Sequence, residues 1–145
     1  MFKKVLILMF SVLSAQAGLS KLEAISMIET CDRDWIVGKA GEVSRYQIMP
    51  SVWRHYTSSR DFRNPVVASK VAAQHIDVLE NTFRARTGRE ATHFDLYVMW
   101  NAGPTYYAKI GFNASRVATV IRERAARYAN LRDMRNTPLL VANTR

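Results

Sequence analysis

Residues 20–30 read SKLEAISMIET and contain a complete signal for the start of a helix. Ser20 and Glu23 have the S-x-x-E spacing of a capping box, in which each side chain satisfies a free amide of the first helical turn. The apolar residues that follow recur at helical spacing and are Leu22, Ile25 and Ile28. Together these features predict a helix over residues 21–30.

Glu29 lies on the apolar side of that predicted helix. At about 100° per residue it falls between Ile25 and Leu22, close to the C-terminal end. Apolar surroundings and the helix dipole at that end both penalise a carboxylate, so we expect a raised pKa for Glu29. An acid that stays protonated near neutral pH can protonate the leaving oxygen of a glycosidic bond. The alternative is a glutamate whose stem packs while its carboxylate reaches solvent.

A long helix is predicted over residues 65–86. Asn64 and Pro65 form the usual pair of a helix cap followed by proline at the first helical position, and Gly88 ends the segment. The apolar residues expected on its buried face are Val67, Val71, Val78, Leu79 and Phe83.

Two further helices are predicted towards the C-terminus. Thr92 and Asp95 form a second capping box, which opens a short buried helix that we expect to stop at the Gly-Pro pair 103–104. Asn113 or Ser115 is expected to cap a final helix. The apolar residues of these two helices are Phe94, Leu96, Tyr97 and Trp100, and then Val117, Val120, Ile121, Ala125, Tyr128 and Leu131.

The segment 31–53 lacks helical periodicity and contains two glycines and a proline. We therefore expect a loop there, with a small hairpin over residues 41–47. The whole pattern predicts a mainly α domain over residues 18–131, in which this irregular or β-hairpin segment lies beside the helices. A polar tail, residues 132–145, follows the domain.

The composition is that of one ordinary globular domain. The chain has 145 residues, of which 48% are hydrophobic and 23% charged, which excludes a wholly disordered or collagen-like protein. The formal net charge is +9, which favours an anionic partner. Cys31 is the single cysteine, so no disulfide can form within the chain. We expect Cys31 to pack in the core as a small hydrophobic residue.

Residues 1–17 have the three parts of a Sec signal peptide. A basic start, MFKK, precedes the apolar run VLILMFSVLS and the A-x-A cleavage site Ala15-Gln16-Ala17. The apolar run is about half of the ~20 residues that a membrane-spanning helix needs, so no stable membrane anchor is expected. We therefore predict export to the periplasm or the exterior.

Three separated segments share their order and spacing with a known family. They are ET at 29–30, GEVSRYQIMP at 41–50 and WNAG at 100–103. These segments resemble the lytic transglycosylase SLT domain of the lysozyme-like superfamily, whose pattern is a helix ending in Glu-Ser, a loop with G-x-M-Q-x-x-P and an A-Y-N-A-G segment. The resemblance extends over about residues 20–131.

The resemblance implies a lysozyme-like helical fold with a cleft that binds a sugar chain. It implies that Glu29 is the catalytic acid and that Gln47 and Asn101 line the cleft. Their amides can donate and accept hydrogen bonds, as the N-acetyl and hydroxyl groups of a sugar demand. Tyr46 and Trp100 offer apolar faces for sugar rings.

Tyr128 also corresponds to a residue of the family pattern. It lies in RYANL and matches the aromatic residue that, late in such domains, packs near the catalytic acid. The chain departs from the pattern at Thr30, where serine is usual, and at Trp100, where tyrosine is usual. Gly41 also lies further before Gln47 than the common pattern has it.

Two mechanisms remain open. The resemblance implies that Glu29 alone protonates the bond between N-acetylmuramic acid and N-acetylglucosamine, then accepts the proton of the C6 hydroxyl as a 1,6-anhydro ring closes. An inverting muramidase would instead use a second acid about 6.5–9.5 Å away to activate water. Glu42 is the candidate for that second carboxylate, whereas Asp32 and Asp34 are expected to be solvated loop acids.

Other function classes fit parts of the sequence. A cysteine peptidase would use Cys31 with His75 or His93, but the end of a helix disfavours a thiolate. A catalytically silent wall-binding module would keep the cleft without needing the proton of Glu29. The arginines of the last helix are typical of nucleic-acid binding or of a solvated face, and are Arg116, Arg122, Arg124 and Arg127.

The predicted export favours the cell wall over nucleic acid as the anionic partner. We therefore expect peptidoglycan glycan strands as the substrate, and proteins of the cell envelope as candidate further partners. Neither a metal nor an organic cofactor is expected.

Overall fold

The computed structural model describes residues 18–134, which form a mainly α domain as predicted. The predicted signal peptide and residues 135–145 of the predicted tail lie outside the described residues. The helices are α1 (Lys21–Thr30), α2 (Pro50–Trp53), α3 (Pro65–Thr87), α4 (His93–Lys109) and α5 (Thr119–Asp133), with a 3-10 turn at Ala114–Arg116 before α5.

Helix α1 begins with the predicted capping box. The Ser20 amide donates to the Glu23 carboxylate over 2.8 Å, and the Glu23 amide donates to the Ser20 hydroxyl over 3.2 Å. Ala24, Ile25 and Ser26 are buried on the side that faces the other helices. The local sequence signal therefore sets the start of α1. Of the predicted apolar face, Ile25 is buried, while Leu22 and Ile28 are partly buried against the core.

Cys31 follows α1 in the left-handed conformation, with φ 52°, and is exposed. Its amide donates to the Met27 carbonyl, which is the single hydrogen bond of the αL type of helix end, and the Asp32 amide donates to the Ser26 carbonyl. The prediction of a buried Cys31 was wrong because this turn carries the chain out of the helix and into solvent.

The segment between α1 and α2 contains very little regular structure. The expected hairpin is reduced to one antiparallel bridge, in which Val43 and Ile48 exchange two backbone hydrogen bonds of 2.9 Å. Helix α2 was not predicted, because a single helical turn is too short to show periodicity. Its Trp53 is fully buried and anchors the end of the segment in the core.

Helix α3 matches its prediction closely. The Asn64 side chain accepts hydrogen bonds from the amides of Val66 and Val67, and Gly88 ends the helix with φ 71°. Its buried residues are Ala68, Val71, Ala72, Ile76, Leu79 and Phe83. Val78, expected in the core, is 48% exposed. It directly precedes the buried Leu79, which places it about 100° around the helix from that residue.

Helix α4 does not stop at residues 103–104. Gly103 breaks the helical path with φ 81° and ψ 158°, and a second helical stretch then runs on to Lys109. The expected stop is instead a kink, because Pro104 can occupy the first turn of the new stretch, where its missing N–H is not needed.

The final helix begins later than expected. Asn113 caps the 3-10 turn, and α5 starts at Thr119 without a side-chain cap. Val117 therefore precedes the helix, and Val120, expected on the same face, is 71% exposed. Ala125 and Tyr128 are buried as predicted.

The helices enclose one hydrophobic core. Helix α4 packs against α5 and α3, and α1 packs against the same two helices. The C-terminal end of α5 also holds the start of the domain, since the Leu19 amide donates to the Leu131 carbonyl over 3.1 Å. The largest fully buried side chains are Trp53, Tyr97, Tyr107, Tyr128 and Phe83. No helix within residues 18–134 is long and apolar enough to cross a bilayer.

Candidate active site

Glu29 is an almost fully buried acid whose side chain lines a cavity. Its side chain is 6% exposed, and it receives one hydrogen bond on each carboxyl oxygen. The Tyr97 hydroxyl on α4 donates to Oε1 over 2.6 Å, and Nη2 of Arg124 on α5 donates to Oε2 over 2.9 Å. These two hydrogen bonds link the last turn of α1 to α4 and α5.

Thr30 fixes the end of α1 against the following loop. Its buried hydroxyl donates to the Arg45 carbonyl over 2.9 Å and accepts from the Arg33 amide over 3.2 Å. A β-branched residue with few side-chain rotamers holds these contacts with little entropic cost. This junction places Glu29 beside the turn that contains Gln47.

The pKa of Glu29 is raised above its ordinary value, and burial is the main cause. The hydrogen bond from Tyr97 and the charge of Arg124 lower that pKa, while the negative charge of Glu42 raises it further. Desolvation outweighs the two donors, so the protonated form is favoured more than in a solvated glutamate.

A cavity of about 350 Å³ lies over Glu29. Its wall contains five of the residues that the sequence analysis predicted for the site. They come from three separated segments and are Glu29, Glu42, Gln47, Trp100 and Asn101. The wall also contains residues that were not predicted to belong to this cleft, and these are Gly38, Lys39, Ile48, Met49, Val52, His75 and Arg124. The mixture of amides, charges and an indole ring suits a polar ligand with apolar ring faces.

Gln47 both lines the cavity and holds its loop together. It adopts φ 50°, and its Nε2 donates to the carbonyls of Ile36 and Ser44 over 3.2 and 3.1 Å. Gly38 packs so tightly here that a Cβ atom would overlap the Gln47 amide and the Glu42 carboxyl group. Glycine at this position therefore lets the Glu42 and Gln47 side chains lie close against the backbone of the loop.

Asn101 and Trp100 form the part of the wall that α4 contributes. The Trp100 ring lies against His75 of α3, with 5.2 Å between ring centroids. Within residues 18–134 no hydrogen bond is made by the Asn101 side chain, so its amide can both donate to and accept from a ligand.

Glu42 belongs to the same wall. Its Oε2 accepts a hydrogen bond from the Ala40 amide over 3.0 Å, which fixes the carboxylate within the loop. Asp32 and Asp34, by contrast, pair with Arg45, at 3.9 and 2.6 Å, and do not line the cavity. Arg45 lowers the pKa of Asp34 through its hydrogen bond, so this acid acts as a structural anion.

The structure does not bring Tyr46 or Tyr128 into the cavity wall. Tyr46 is 5% exposed and belongs to the core, because the turn directs it inward and its neighbour Gln47 outward. Tyr128 is fully buried and stacks on Tyr97, with 5.3 Å between centroids. Tyr128 therefore contacts the ring whose hydroxyl holds Glu29, and does not contact a ligand in the cavity.

Sequence reasoning missed Arg124 and Tyr97 as partners of Glu29. Arg124 was grouped with the exposed arginines of the last helix, yet it lies one turn before Tyr128 and so shares the buried side of α5. That four-residue spacing was the available signal. Arg116, Arg122 and Arg127 are exposed, as a solvated face predicts.

The histidines of the alternative cysteine site have other partners. Nδ1 of His75 lies 2.9 Å from the Tyr56 hydroxyl, and Nδ1 of His93 lies 3.0 Å from Asp133. No hydrogen bond joins either ring to Cys31 in the part of the chain that the structure describes. Likewise, in residues 18–134 no group of three or more His, Cys, Asp or Glu side chains could hold a metal ion.

Comparison with known proteins gives no match to a family model, to a curated protein or to a solved structure.

Proposed function

We propose that this chain cleaves the glycan strands of peptidoglycan as a lytic transglycosylase of lysozyme-like fold. The supporting observation is the convergence of Glu29, Gln47 and Asn101 on one cavity, with Glu29 the buried acid at its base. These residues come from separated segments, and packing alone does not require their polar groups to meet.

The chemistry assigned to Glu29 uses its two protonation states in turn. The raised pKa favours the acid, which protonates the oxygen between N-acetylmuramic acid and N-acetylglucosamine as the C1–O bond breaks. The resulting carboxylate then accepts the proton of the C6 hydroxyl, whose oxygen attacks C1 and closes a 1,6-anhydro ring. Glu29 ends the cycle protonated again, and no water is consumed.

The other residues of the wall would position the sugar chain. The Asn101 amide, which makes no hydrogen bond within residues 18–134, can bind a hydroxyl or N-acetyl group, and Trp100 presents an apolar face to a sugar ring. Gln47 acts mainly by fixing the loop, because its Nε2 is already bonded to two carbonyls.

A muramidase is the second candidate, and it is favoured by the position of Glu42 in the cavity wall. Its carboxylate lines the same cavity as Glu29 and contributes to the raised pKa of that residue. An inverting hydrolase needs such a second carboxylate to activate water. The two candidates differ in the ends that they leave on the glycan.

The basic charge and the predicted signal peptide support the proposed setting. The formal net charge is +9 for the whole chain and +7 without Lys3 and Lys4 of the predicted signal peptide. This charge attracts the protein to an anionic wall, and Sec export would bring it there. The proposed substrate therefore lies in the periplasm or outside the cell, where proteins of the envelope are candidate partners.

Replacing Glu29 tests the proposal directly. Glu29→Gln should lower the release of fragments from dye-labelled peptidoglycan about 10²–10⁴-fold, because an amide cannot deliver the proton. Glu123→Gln is the matched control, since Glu123 is exposed on α5 and does not line the cavity. Circular dichroism checks that both variants fold. Equal release by wild type and Glu29→Gln would show that Glu29 is not the catalytic acid. If wild type released no fragments, the protein would be a wall-binding module and not an enzyme that cleaves the wall.

A further inference from the structure

Arg124 faces the cavity while it holds Glu29. Its side chain is 29% exposed, and Nη2 lies 2.9 Å from Oε2 of Glu29. A guanidinium group has five N–H donors. Among the hydrogen bonds of residues 18–134, Arg124 uses one donor nitrogen, so other donors are left for a ligand in the cavity.

This ion pair conflicts with the role proposed for Glu29. Arg124 favours the carboxylate, whereas the first chemical step needs the acid. A ligand with hydroxyl and amide groups alone has no charge that would draw the guanidinium away from Glu29. A ligand with its own carboxylate does, because arginine binds carboxylates in a planar, two-point geometry.

The remaining charged and titratable groups around Glu29 do not supply that anion. Lys39 and Glu42 face the cavity from the loop, and His75 faces it from α3. Tyr97 contacts the other oxygen of Glu29 from α4. Of these groups only Glu42 is an anion, and its carboxylate is held by the Ala40 amide.

We propose that Arg124 binds a carboxylate of the substrate, which replaces Glu29 as its partner and leaves Glu29 free to take up a proton. This inference rests on the proposed function. Each N-acetylmuramic acid carries a lactyl group, whose carboxylate is free on peptide-free strands, while peptide-bearing strands carry carboxylates on the stem peptide. The exchange keeps Arg124 neutralised, and the proton that Glu29 gains comes from solvent.

Calorimetric binding of a short fragment tests the exchange without turnover. The disaccharide N-acetylglucosaminyl-β-1,4-N-acetylmuramic acid lacks the bond to be cleaved. Three forms separate the sources of the carboxylate: the free lactyl acid, its methylamide, and the disaccharide bearing a stem peptide. Wild type should bind at least one carboxylate form about tenfold or more tightly than the methylamide. The form that gains identifies the source.

The variants connect this preference to Arg124. Arg124→Gln should bind all three forms with similar affinity, whereas Arg122→Gln should behave as wild type, because Arg122 is exposed on the same helix and bonds to Thr119. Titration in two buffers of different ionisation enthalpy should show proton uptake on binding to wild type near neutral pH. Arg124→Gln should lose that uptake.

Two results would overturn the assignment of Arg124. One is equal binding of all three forms by wild type, a measurement that needs no variant. The other is a preference and a proton uptake that persist in folded Arg124→Gln. The proposed function fails separately: a wild type that shows the preference, loses it in Arg124→Gln and yet releases no fragments from peptidoglycan would disprove cleavage and support carboxylate binding.

Discussion

The carboxyl group of Glu29 is held by two donors that differ in charge. The neutral donor is the Tyr97 hydroxyl, 2.6 Å from Oε1, and the cationic donor is Arg124. Both stabilise the carboxylate, while burial disfavours it and prevails. The balance of these three influences sets the pH range in which Glu29 can act as an acid.

Removing the neutral donor should shift that range upward. Tyr97→Phe leaves the ring in place but deletes the hydrogen bond to the carboxylate, so the pKa of Glu29 rises. A hydrogen bond to a charged group contributes about 1.5–3 kcal/mol, so the alkaline limb of kcat/KM on peptidoglycan fragments should move up by about one to two pH units. A pH–rate profile measures this.

Tyr128→Phe is the control for that measurement. The Tyr128 hydroxyl is buried without a hydrogen-bond partner in the described part of the chain, and its ring stacks on Tyr97. Its removal should leave the alkaline limb in place. A limb that stays unmoved in Tyr97→Phe, or moves to lower pH, contradicts the account of how Glu29 is held.

At the residue scale, the sequence predicts Glu29 but not its partners. A capping box and a short apolar series determine which side of a helix Glu29 lies on, and both are local. The contact with Arg124 joins residues 95 positions apart and depends on how α5 packs against α1. No local pattern contains that information.

At the scale of elements, the end of α1 and the loop over the cavity form one unit. Thr30 bonds to the Arg45 carbonyl, and Gly38 lies against the side chains of Glu42 and Gln47. Beyond the Val43–Ile48 bridge, the loop is held by backbone hydrogen bonds of its turns, such as that from the Gly38 amide to the Glu42 carbonyl over 2.9 Å, together with these side-chain contacts.

A methyl group at position 38 should disturb this unit. In Gly38→Ala the new Cβ would overlap the Glu42 carboxyl group and the Gln47 amide, so these two side chains must shift and the hydrogen bonds that they make within the loop are disturbed. We expect a loss of about 1–3 kcal/mol in the free energy of unfolding and a fall of about tenfold or more in kcat/KM. Urea denaturation and fragment release measure the two effects.

Gly41→Ala separates steric overlap from backbone strain. Gly41 has φ 88°, but a Cβ atom there would meet nothing within 4 Å. The variant should lose about 1 kcal/mol of stability from the left-handed backbone and keep its activity. Equal activity losses in Gly38→Ala and Gly41→Ala would show that the contacts of Gly38 do not shape the cavity.

The elements with strong boundary signals were predicted well, and those without were not. Asn64, Gly88 and the two capping boxes set the ends of their helices correctly. Helix α2 was not predicted because it is only one turn long. A Gly-Pro pair is found both at helix ends and at kinks, so the sequence predicts an end at Gly103 where the structure has a kink.

At the scale of the whole molecule, the mainly α fold was predictable from helical periodicity and caps. The meeting of three segments in one cavity is a separate matter, because it depends on how α1, α4 and the loop pack together. The expectation that these segments meet rests on the resemblance of their motifs to a family, which stays a prediction. The residues themselves give only the faces on which Glu29 and Asn101 lie.

Burying Glu29 should also affect how the stability of the fold depends on pH. Its folded pKa is raised above the ordinary 4.5, so the folded state binds the proton more tightly than the unfolded state. The contribution of Glu29 to the free energy of unfolding is therefore most favourable below pH 4.5, and it is lost as the pH rises through the folded pKa. Asp95, whose pKa is lowered by its bonds to Arg89, Tyr107 and Thr92, acts in the opposite direction at acid pH.

Comparing wild type with Glu29→Gln isolates this effect. The attraction between Arg124 and the ionised Glu29 is already part of the folded pKa of Glu29, so its loss belongs to the effect that this comparison measures. Urea denaturation at pH 4 and pH 8 should show that the stability of Glu29→Gln relative to wild type increases at the higher pH. A relative stability that decreases towards pH 8 would mean that the folded pKa of Glu29 lies below its ordinary value.

The central claim is that Glu29 alone supplies and recovers the proton during glycan cleavage. Mass spectrometry of the fragments released from purified peptidoglycan tests it most directly, with wild type and Glu42→Gln side by side. The account predicts 1,6-anhydromuramyl ends from both proteins. Reducing ends from wild type, with release abolished in Glu42→Gln, would contradict it and identify a hydrolase that uses both carboxylates.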